Sequence, residues 1–400
     1  MNAQKPSLSH MSTDTGRNKF ASCGWYTGNM PAYRPTWAEI DLKAFRNNFL
    51  KIKSRLKKKT KILAVVKANA YGHSAVPLSQ EALKLGAAAL GVSSLEEGIV
   101  LRENGVKGEI LILGSIYPLE NLAAACQYDL IPTISSVQGL AELARVAKRC
   151  KKRLPFHLKT DTGMGRIGVS AESAPRLLEK IVLKSEVKMA GMYTHFACAD
   201  SDKEFTQRQL LKFNEAVRRA RLLGLEFSAH AANSAALFKY KQAHLDMVRP
   251  GISLYGMDPF AGAEKMLKLE PVLSWKTRIV YLKKVKKNAT ISYGRTYTAK
   301  RPAVIATLPV GYADGYSRGL SNKGEVLIRS KRCPVVGRVT MDMIMVDATN
   351  AQGVEIGDEA VLIGRQGDAK LTAENMAAKL NTINYEVTCG ISYRVPRIII

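Results

Sequence analysis

The sequence contains no apolar run of the roughly 20 residues that a membrane-spanning helix requires, so no membrane partner is expected. Its six cysteines form no CxxC pair and have no histidine at zinc-finger spacing, which predicts reduced thiols, a cytoplasmic protein and no metal site. Residues 1–33 lack the apolar segment of a secretory signal, and their polar composition predicts a disordered extension. These absences argue against membrane proteins and secreted disulfide scaffolds.

Acidic residues are scarce, with 34 Asp and Glu against 60 Lys and Arg, a formal net charge of +26. An excess of this size raises the possibility of a nucleic-acid or acidic-lipid partner. The basic runs lie far apart, near residues 57–59, 148–153 and 283–287, and aromatic residues are not interleaved with them. We therefore expect solvated surface charge and no nucleic-acid partner, since the nucleic-acid alternative depends on charge alone.

One pattern recurs between Lys61 and Gly256: a short β-rich apolar run, a loop, and then an amphipathic helical stretch. Eight such units predict a parallel sheet, and the number eight favours an α/β fold with a closed (β/α)8 barrel of the TIM type. A doubly wound open sheet remains the alternative, because counting strands does not prove closure. The predicted strands are Lys61–Lys67, Ala89–Ser94, Glu109–Gly114, Leu130–Ser135, Pro155–Thr160, Met189–Phe196, Ser228–Asn233 and Met247–Tyr255.

The pattern changes near Pro271, where short strands separated by Gly, Pro and Asn begin. This change predicts a barrel over residues 34–270 and a mainly β domain over residues 271–400, with one helix near Thr372–Leu380. The strands predicted there are Val272–Val285, Ala303–Pro309, Glu325–Ser330, Pro334–Val339, Met343–Asp347 and Glu359–Ile363.

Polar residues close several of the apolar barrel strands, at the end of a barrel where active-site groups gather. Lys67 is the most informative of them, because an amine at the exit of an apolar strand is partly desolvated, which lowers its pKa and exposes a neutral nucleophile. Such an amine forms Schiff bases with carbonyl compounds or pyridoxal 5′-phosphate (PLP). A lysine that merely extends from the strand end into solvent fits the same pattern.

Nine segments resemble the alanine racemase family, in that family's order and spacing, and together they extend from about Pro35 to the C-terminus. They are Ala64–His73, His157–Gly168, Met192–Phe196, Ala231–Ser234, Val248–Gly256, Ile291–Thr298, Leu308–Tyr316, Arg338–Asp342 and Ile391–Arg397.

The resemblance implies a PLP-binding (β/α)8 barrel followed by a β domain. It also implies a head-to-tail homodimer, in which each active site combines the barrel of one subunit with the β domain of the other. The segment Thr36–Leu42 would precede the barrel and pack with the β domain.

The resemblance also implies catalytic roles. Lys67 would bind PLP and serve as one racemisation base, and Tyr293 of the other subunit would be the second, because inverting a stereocentre requires proton donors on both faces. Arg249 would face the pyridine nitrogen and leave it unprotonated. His195 would lie beside Arg249 and Tyr293. Taken alone, Tyr293 and His195 fit ordinary core residues better than catalytic ones.

Binding roles are implied as well. The PLP phosphate would be held by the hydroxyls of Tyr71, Ser234 and Tyr393 and by the backbone amides of Gly251 and Ile252.

The substrate carboxylate would be bound by Arg166 and by the backbone at Met341. Lys159 matches a position that is often carbamylated in the family, where the carbamate supports the arginine; an ordinary lysine paired with an anion is the alternative. Tyr312 and Asp342 of the partner subunit would shape the substrate entrance.

The resemblance therefore implies interconversion of L-alanine and D-alanine, which would supply D-alanine for peptidoglycan. A broad-specificity amino-acid racemase on the same fold is the nearest alternative. A barrel-type PLP decarboxylase would favour an acidic partner for the pyridine nitrogen, whereas this chain offers Arg249. A PLP-binding homeostasis protein would share the barrel but needs no β domain.

Overall fold

The computed structural model describes residues 33–260 and 268–400; the extension expected at residues 1–33 lies outside this range except for Tyr33. The described chain begins with strand β1 (Thr36–Ile40) and helix α1 (Leu42–Lys53). Asp41 caps α1 by accepting a hydrogen bond from the Ala44 amide at 2.9 Å, as expected for an acidic residue at a helix N-terminus. Over the two described ranges, no helix is long and apolar enough to cross a membrane.

A closed barrel follows. Eight parallel strands run in the order β2-β3-β4-β5-β6-β8-β9-β10, and β10 returns to pair with β2. A single bridge between Leu111 and Ile131 joins the two remaining edges, β4 and β5. This closure confirms the predicted barrel and excludes the open sheet. The strands are β2 (Lys61–Val65), β3 (Ala89–Val92), β4 (Glu109–Ile112), β5 (Thr133–Ile134), β6 (Leu154–Asp161), the short side strand β7 (Val169–Ser170), β8 (Val187–Tyr193), β9 (Ser228–His230) and β10 (Met247–Val248).

Helices surround the barrel, and most of them are amphipathic with an apolar face against the strands. In the helix Val137–Cys150, for example, Leu140, Leu143 and Ala147 are buried at helical spacing, and Ser136 caps its first turn. The helices are α3 (Ala75–Lys84), α4 (Leu95–Glu103), α5 (Leu122–Gln127), α6 (Val137–Cys150), α7 (Ala174–Val182), α8 (Lys203–Leu222) and α9 (Ser234–Lys239), and the segment α2 (Lys67–Tyr71) is a left-handed turn.

The C-terminal part is mainly β, as predicted. Strand β1 lies within its largest sheet, antiparallel to β11 and parallel to β21, so the N-terminal segment belongs structurally to this region. The elements are β11 (Leu273–Arg278), β12 (Tyr281–Val285), β13 (Thr290–Ile291), β14 (Tyr297–Thr298), β15 (Ala303–Leu308), β16 (Glu325–Ile328), β17 (Lys331–Pro334), β18 (Ile344–Asp347), β19 (Glu359–Gln366), β20 (Ala369–Leu371), α10 (Ala373–Leu380), α11 (Asn384–Cys389) and β21 (Arg397–Ile399).

Several predicted strands differ from the structure in their bounds, as three examples show. The run Val272–Val285 is two strands in different sheets, because the Ile279 amide donates to Asp358 and the Val280 amide to Thr307, on opposite sides of the break. The strand expected at Pro334–Val339 ends at Pro334. The run Met247–Tyr255 is extended only to Val248 and then turns.

Candidate active site

The chain forms a left-handed turn immediately after Lys67. Ala68, Asn69 and Ala70 have φ values of 52°, 52° and 55°, a conformation that costs about 1–2 kcal/mol per residue for side chains other than glycine. The strand predicted to end at Lys67 therefore stops at Val65, and Lys67 is the first residue of this turn. Strain of this kind persists only where surrounding contacts enforce it.

Several contacts enforce the turn. The Glu97 carboxylate accepts hydrogen bonds from the amides of Ala68 at 2.7 Å and Ser93 at 2.6 Å. Arg397 donates to the Gly72 carbonyl at 2.9 Å, which connects the turn to the C-terminal segment. Gly72 has φ +85°, and a Cβ there would lie 2.1 Å from the Thr388 carbonyl oxygen, so only glycine fits.

Four basic side chains converge at this end of the barrel: Lys67, Lys159, Arg166 and Arg249. Burial, followed by the charge of Arg166, lowers the pKa of Lys67. Burial, followed by the charges of Arg249, Arg166 and Lys67, lowers the pKa of Lys159 to about 8. None of the four has a carboxylate within ion-pair distance among the described residues. The region is therefore suited to anions.

Arg249 is 3% exposed and is held by neutral acceptors. It donates to the carbonyls of Thr194 at 2.6 Å and Ala231 at 3.0 Å, and to Nδ1 of His230 at 3.0 Å. A guanidinium accepts no hydrogen bond, so Nδ1 of His230 is the acceptor and its proton lies on Nε2. That Nε2 donates to Nδ1 of His157 at 2.9 Å. One chain of hydrogen bonds thus fixes the orientation of the guanidinium.

His230 and His157, the two histidines in this series of hydrogen bonds, are neutral at physiological pH. Burial, followed by the charge of Arg249, lowers the pKa of His157 to about 3 and that of His230 well below its usual range. His195 lies on the other side of Arg249, with Nδ1 at 3.4 Å from the guanidinium, and burial lowers its pKa in the same way. All three imidazoles can therefore accept hydrogen bonds without adding charge.

A second group of residues forms a small polar cradle. Ser234 Oγ accepts a hydrogen bond from the Gly251 amide at 2.9 Å and lies 3.1 Å from Ser253 Oγ. A Cβ at Gly251 would lie 2.4 Å from the Tyr71 hydroxyl, so that hydroxyl lies directly over the glycine. Ile252 begins the turn that follows. The Tyr71 hydroxyl, the Ser234 hydroxyl and these amides share one small volume.

The predicted site residues of the β domain are exposed. Tyr293 is 72% exposed, Tyr393 67%, Met341 53% and Tyr312 43%, and Asp342 is exposed as well.

Backbone contacts bring Tyr312 and Met341 together, since the Tyr312 amide donates to Thr340 and the Ala313 amide to Met341, both at 3.0 Å. Tyr393 precedes Arg394, which donates to the Asp342 carboxylate at 2.8 Å.

Tyr293 is connected to the same face through its neighbour. Ser292 Oγ donates to the Arg338 carbonyl at 2.7 Å, at the start of the segment that carries Met341 and Asp342. Among the described residues, no hydrogen bond or ring contact joins the exposed Tyr293 to the turn that carries Lys67.

Sequence reasoning missed four residues of the barrel-end cluster: Glu97, His157, His230 and Cys389. His230 ends the short strand β9, and a histidine at a barrel-strand end is the signal that could have identified it. His157 lies in the interior of β6, and Glu97 lies in a helix with no motif around it. Cys389 ends α11 and reaches Lys67 only through the packing of α11 against the turn.

Comparison with known proteins identifies the family. Residues 40–259 match the family model described as alanine racemase, N-terminal domain, and residues 272–399 match alanine racemase, C-terminal domain. The chain belongs to the alanine racemase family. It is 47% identical over 366 residues to an alanine racemase from Halothermothrix orenii, covering 91% of this chain and 96% of the relative.

Solved structures of alanine racemases have the same architecture. One, from Bacillus anthracis with bound L-Ala-P, is 38% identical with a TM-score of 0.86 and covers 93% of this chain and 96% of its own. Another, from Bartonella henselae, has covalently bound pyridoxal phosphate, 28% identity and a TM-score of 0.82, and covers 92% and 99%. The alanine racemase family thus includes a member with this cofactor attached covalently.

Proposed function

We propose that this protein is a PLP-dependent alanine racemase that interconverts L-alanine and D-alanine, working as a homodimer with shared active sites. The observation that carries the proposal is the convergence of Lys67, Lys159, Arg166 and Arg249 at one end of the barrel without ion-paired carboxylates. Lys159 and Arg249 are buried, Lys67 is half-buried and Arg166 is exposed, and buried cations need anionic partners. A phosphorylated cofactor and an amino-acid carboxylate would supply them.

The residues present fit PLP. Lys67 offers an amine whose pKa is lowered by burial, as required of a lysine that attacks an aldehyde at neutral pH. The cradle offers the hydroxyls of Tyr71 and Ser234 and the backbone amide of Ile252, which suit a phosphate dianion. The Gly251 amide, which donates to Ser234 Oγ here, would share its hydrogen bond with the phosphate. We assign Tyr393 to the same phosphate. When bound, the cofactor would withdraw electrons from the amino acid's α-carbon and so acidify the α-proton.

Arg249 would face the pyridine nitrogen. Its guanidinium is held by His230 and by two carbonyls, so it is already oriented. An arginine donates a hydrogen bond but does not give up its proton, and the pyridine nitrogen would remain unprotonated. A weaker electron sink would limit side reactions in favour of simple proton exchange. His195, neutral and beside Arg249, would accept a hydrogen bond from the tyrosine that completes the site.

Racemisation needs a proton acceptor on one face of the α-carbon and a donor on the other. Lys67 would hold the proton at Nζ on one face. Tyr293 of the second subunit would hold it at its hydroxyl on the opposite face, since in one chain this ring is exposed and able to enter the site of a partner. Tyr312 and Asp342 would enter from the same second subunit and shape the entrance.

The substrate carboxylate would pair with Arg166 and with the backbone amide at Met341. Lys159 is 5% exposed and its pKa is lowered to about 8, so an appreciable neutral fraction is available at neutral pH. A neutral amine adds to carbon dioxide and releases one proton to form an anionic carbamate. At Lys159 that anion would support Arg166 and balance the local positive charge.

A chiral assay of the purified protein with PLP tests the function. Either alanine enantiomer alone should be converted to a one-to-one mixture, because the enantiomers have equal free energy in water. Parallel reactions with L-serine and L-lysine separate an alanine racemase from a broad-specificity enzyme. Carbon dioxide or pyruvate as the main product would refute the proposal in favour of decarboxylation or transamination.

A further inference from the structure

Two cysteines lie side by side at the end of the barrel opposite the candidate active site. Cys126 is near the end of α5, and Cys150 is the last residue of α6. The strands that follow, β5 and β6, pair in register with Thr133 opposite His157. Cys126 precedes Thr133 by seven residues, and Cys150 precedes His157 by seven, so equal lengths of chain place both helix ends at the same level.

The Cys126 thiol is close enough to Cys150 for that thiol to raise its pKa, and both thiols are free. Cys126 is partly buried against the hydrophobic core, whereas Cys150 is exposed. Burial and the neighbouring Cys150 raise the pKa of Cys126 to about 11, which keeps its thiol protonated at neutral pH. A reagent from solvent therefore meets Cys150 first.

The surroundings of Cys150 are basic. Lys148 is paired with Glu186 at 2.8 Å, whereas Arg149, Lys151 and Lys152 form no ion pair with any carboxylate of the described chain. Positive charge around an exposed thiol attracts anionic reagents.

We propose that Cys126 and Cys150 form a reversible disulfide modification site that reacts with small anionic disulfides of the glutathione type. The Cys150 thiolate attacks one sulfur of the oxidised glutathione; a Cys150–glutathione bond forms, and one glutathione thiolate leaves. Cys126 then loses its proton to solvent and attacks Cys150 Sγ; the Cys126–Cys150 bond forms and the second glutathione thiolate leaves. Two protein thiols are oxidised and one glutathione disulfide is reduced to two thiols.

The disulfide would cross-link two helices far from Lys67. It restricts the unfolded chain, so the melting temperature should rise by a few degrees. Because the cross-link lies at the opposite end of the barrel, the kcat and KM for alanine should stay within twofold of the reduced enzyme. These readouts separate this proposal from the proposed function, since thiol state is measured without turnover.

The test uses the PLP-loaded enzyme incubated with oxidised glutathione, followed by alkylation of free thiols, digestion and mass spectrometry. We expect the Cys126 and Cys150 peptides to be joined, lighter by two hydrogen atoms than their sum, and released by a thiol reductant. In Cys126→Ser a glutathione adduct should persist on Cys150, because the resolving thiol is missing. The control Cys198→Ser should form the same cross-link as the unaltered chain.

A glutathione adduct that persists on Cys150 of the unaltered chain while Cys126 stays free would overturn the proposal. So would a disulfide that joins either cysteine to another partner, or a cross-link that leaves the melting temperature unchanged. Because the decisive peptide map is made on the unaltered chain, the proposal can fail even if a serine variant does not fold.

Discussion

The barrel end and the exposed face of the β domain contain the two halves of the candidate site, and they are built differently. At the barrel end, Arg249 and Lys159 are buried, and neutral histidines and carbonyls orient the guanidinium. On the β domain, Tyr293 and Met341 project from short turns into solvent. The buried half is suited to holding charged groups without water, and the exposed half is suited to meeting another surface.

The exposed half is nevertheless ordered by its own contacts. Asp314 is buried and forms ion pairs with Arg34 and Arg394, and Arg394 also donates to Asp342. These charges fix the turn that carries Tyr312 and the segment that carries Asp342. A face that is rigid before it meets a partner loses less entropy on association. The exposed half is therefore ordered enough to meet another protein surface with little rearrangement.

The largest effect is expected from removing the amine of the buried half. Lys67→Ala should reduce racemisation by at least about 10⁴-fold, because the cofactor attachment and one proton acceptor are lost together. Borohydride reduction of the unaltered enzyme should attach PLP to the peptide that contains Lys67, and the variant should carry no label. A label on Lys159 instead would show that the site assignment is wrong.

A heterodimer tests directly whether the two halves come from different chains. Lys67→Ala and Tyr293→Phe homodimers should each be nearly inactive. Their purified heterodimer would have one site with both defects and one unaltered site, so it should regain up to about half of the unaltered activity, by the symmetry of a two-site dimer. No recovery would mean that Tyr293 serves its own chain.

Reversing the buried charge should change the reaction itself. Arg249→Glu places a carboxylate where a protonated pyridine nitrogen becomes favourable, so racemisation should slow on the order of a hundredfold while pyruvate release rises. Arg249→Lys preserves the charge and should release little pyruvate. Arg176→Glu, at an exposed position on α7, is the charge-matched control. Unchanged products in Arg249→Glu would make the arginine purely structural.

A smaller effect is expected from loosening the left-handed turn. In Glu97→Gln one carboxylate oxygen becomes an NH2 group, so either the Ala68 or the Ser93 amide loses its acceptor, at a cost of roughly 1–3 kcal/mol. The kcat/KM for alanine should fall about tenfold, with Lys67 still labelled by borohydride. Glu103→Gln, at an exposed position at the end of the same helix, should have the kcat/KM of the unaltered enzyme. An equal loss of kcat/KM in both variants would contradict a positioning role for Glu97.

The smallest effect concerns pH and Lys159. The pKa of Lys159 is about 8 in the folded chain, whereas the ordinary value for a lysine is 10.5. Between pH 8 and 10.5 the Lys159 amine is therefore protonated in the unfolded chain and neutral in the folded chain. Burial of the charged amine therefore lowers the free energy of unfolding by its full amount below pH 8, and this loss disappears as the pH rises towards 10.5. In denaturant unfolding of the apoprotein in carbon dioxide-free buffer, the free energy of unfolding of Lys159→Met should exceed that of the unaltered chain by the largest amount near pH 7. Lys180→Met, exposed on α7, should show no such trend.

The barrel could be predicted from sequence because eight apolar runs alternate with amphipathic stretches, and each run carries its own signal. Short strands such as Met247–Val248 were predicted to be longer than they are, because the apolar residues continue into the turn, where the backbone is not paired with a neighbouring strand. Lys67 could be identified because it directly follows an apolar run. Its left-handed turn could not, since Ala68 and Ala70 favour no such conformation locally and are forced into it by Glu97 and the C-terminal segment.

The sequence by itself determined the family, the order of the two parts and the identity of the lysine, because nine local motifs occur in register. Only the tertiary structure decided what surrounds that lysine. Glu97, His230, His157 and Cys389 come from distant segments with no shared motif, and their effect on Lys67 or Arg249 depends on distance and burial. Electrostatic energy falls with separation in space and rises as water is excluded, and neither quantity can be read from position along the chain.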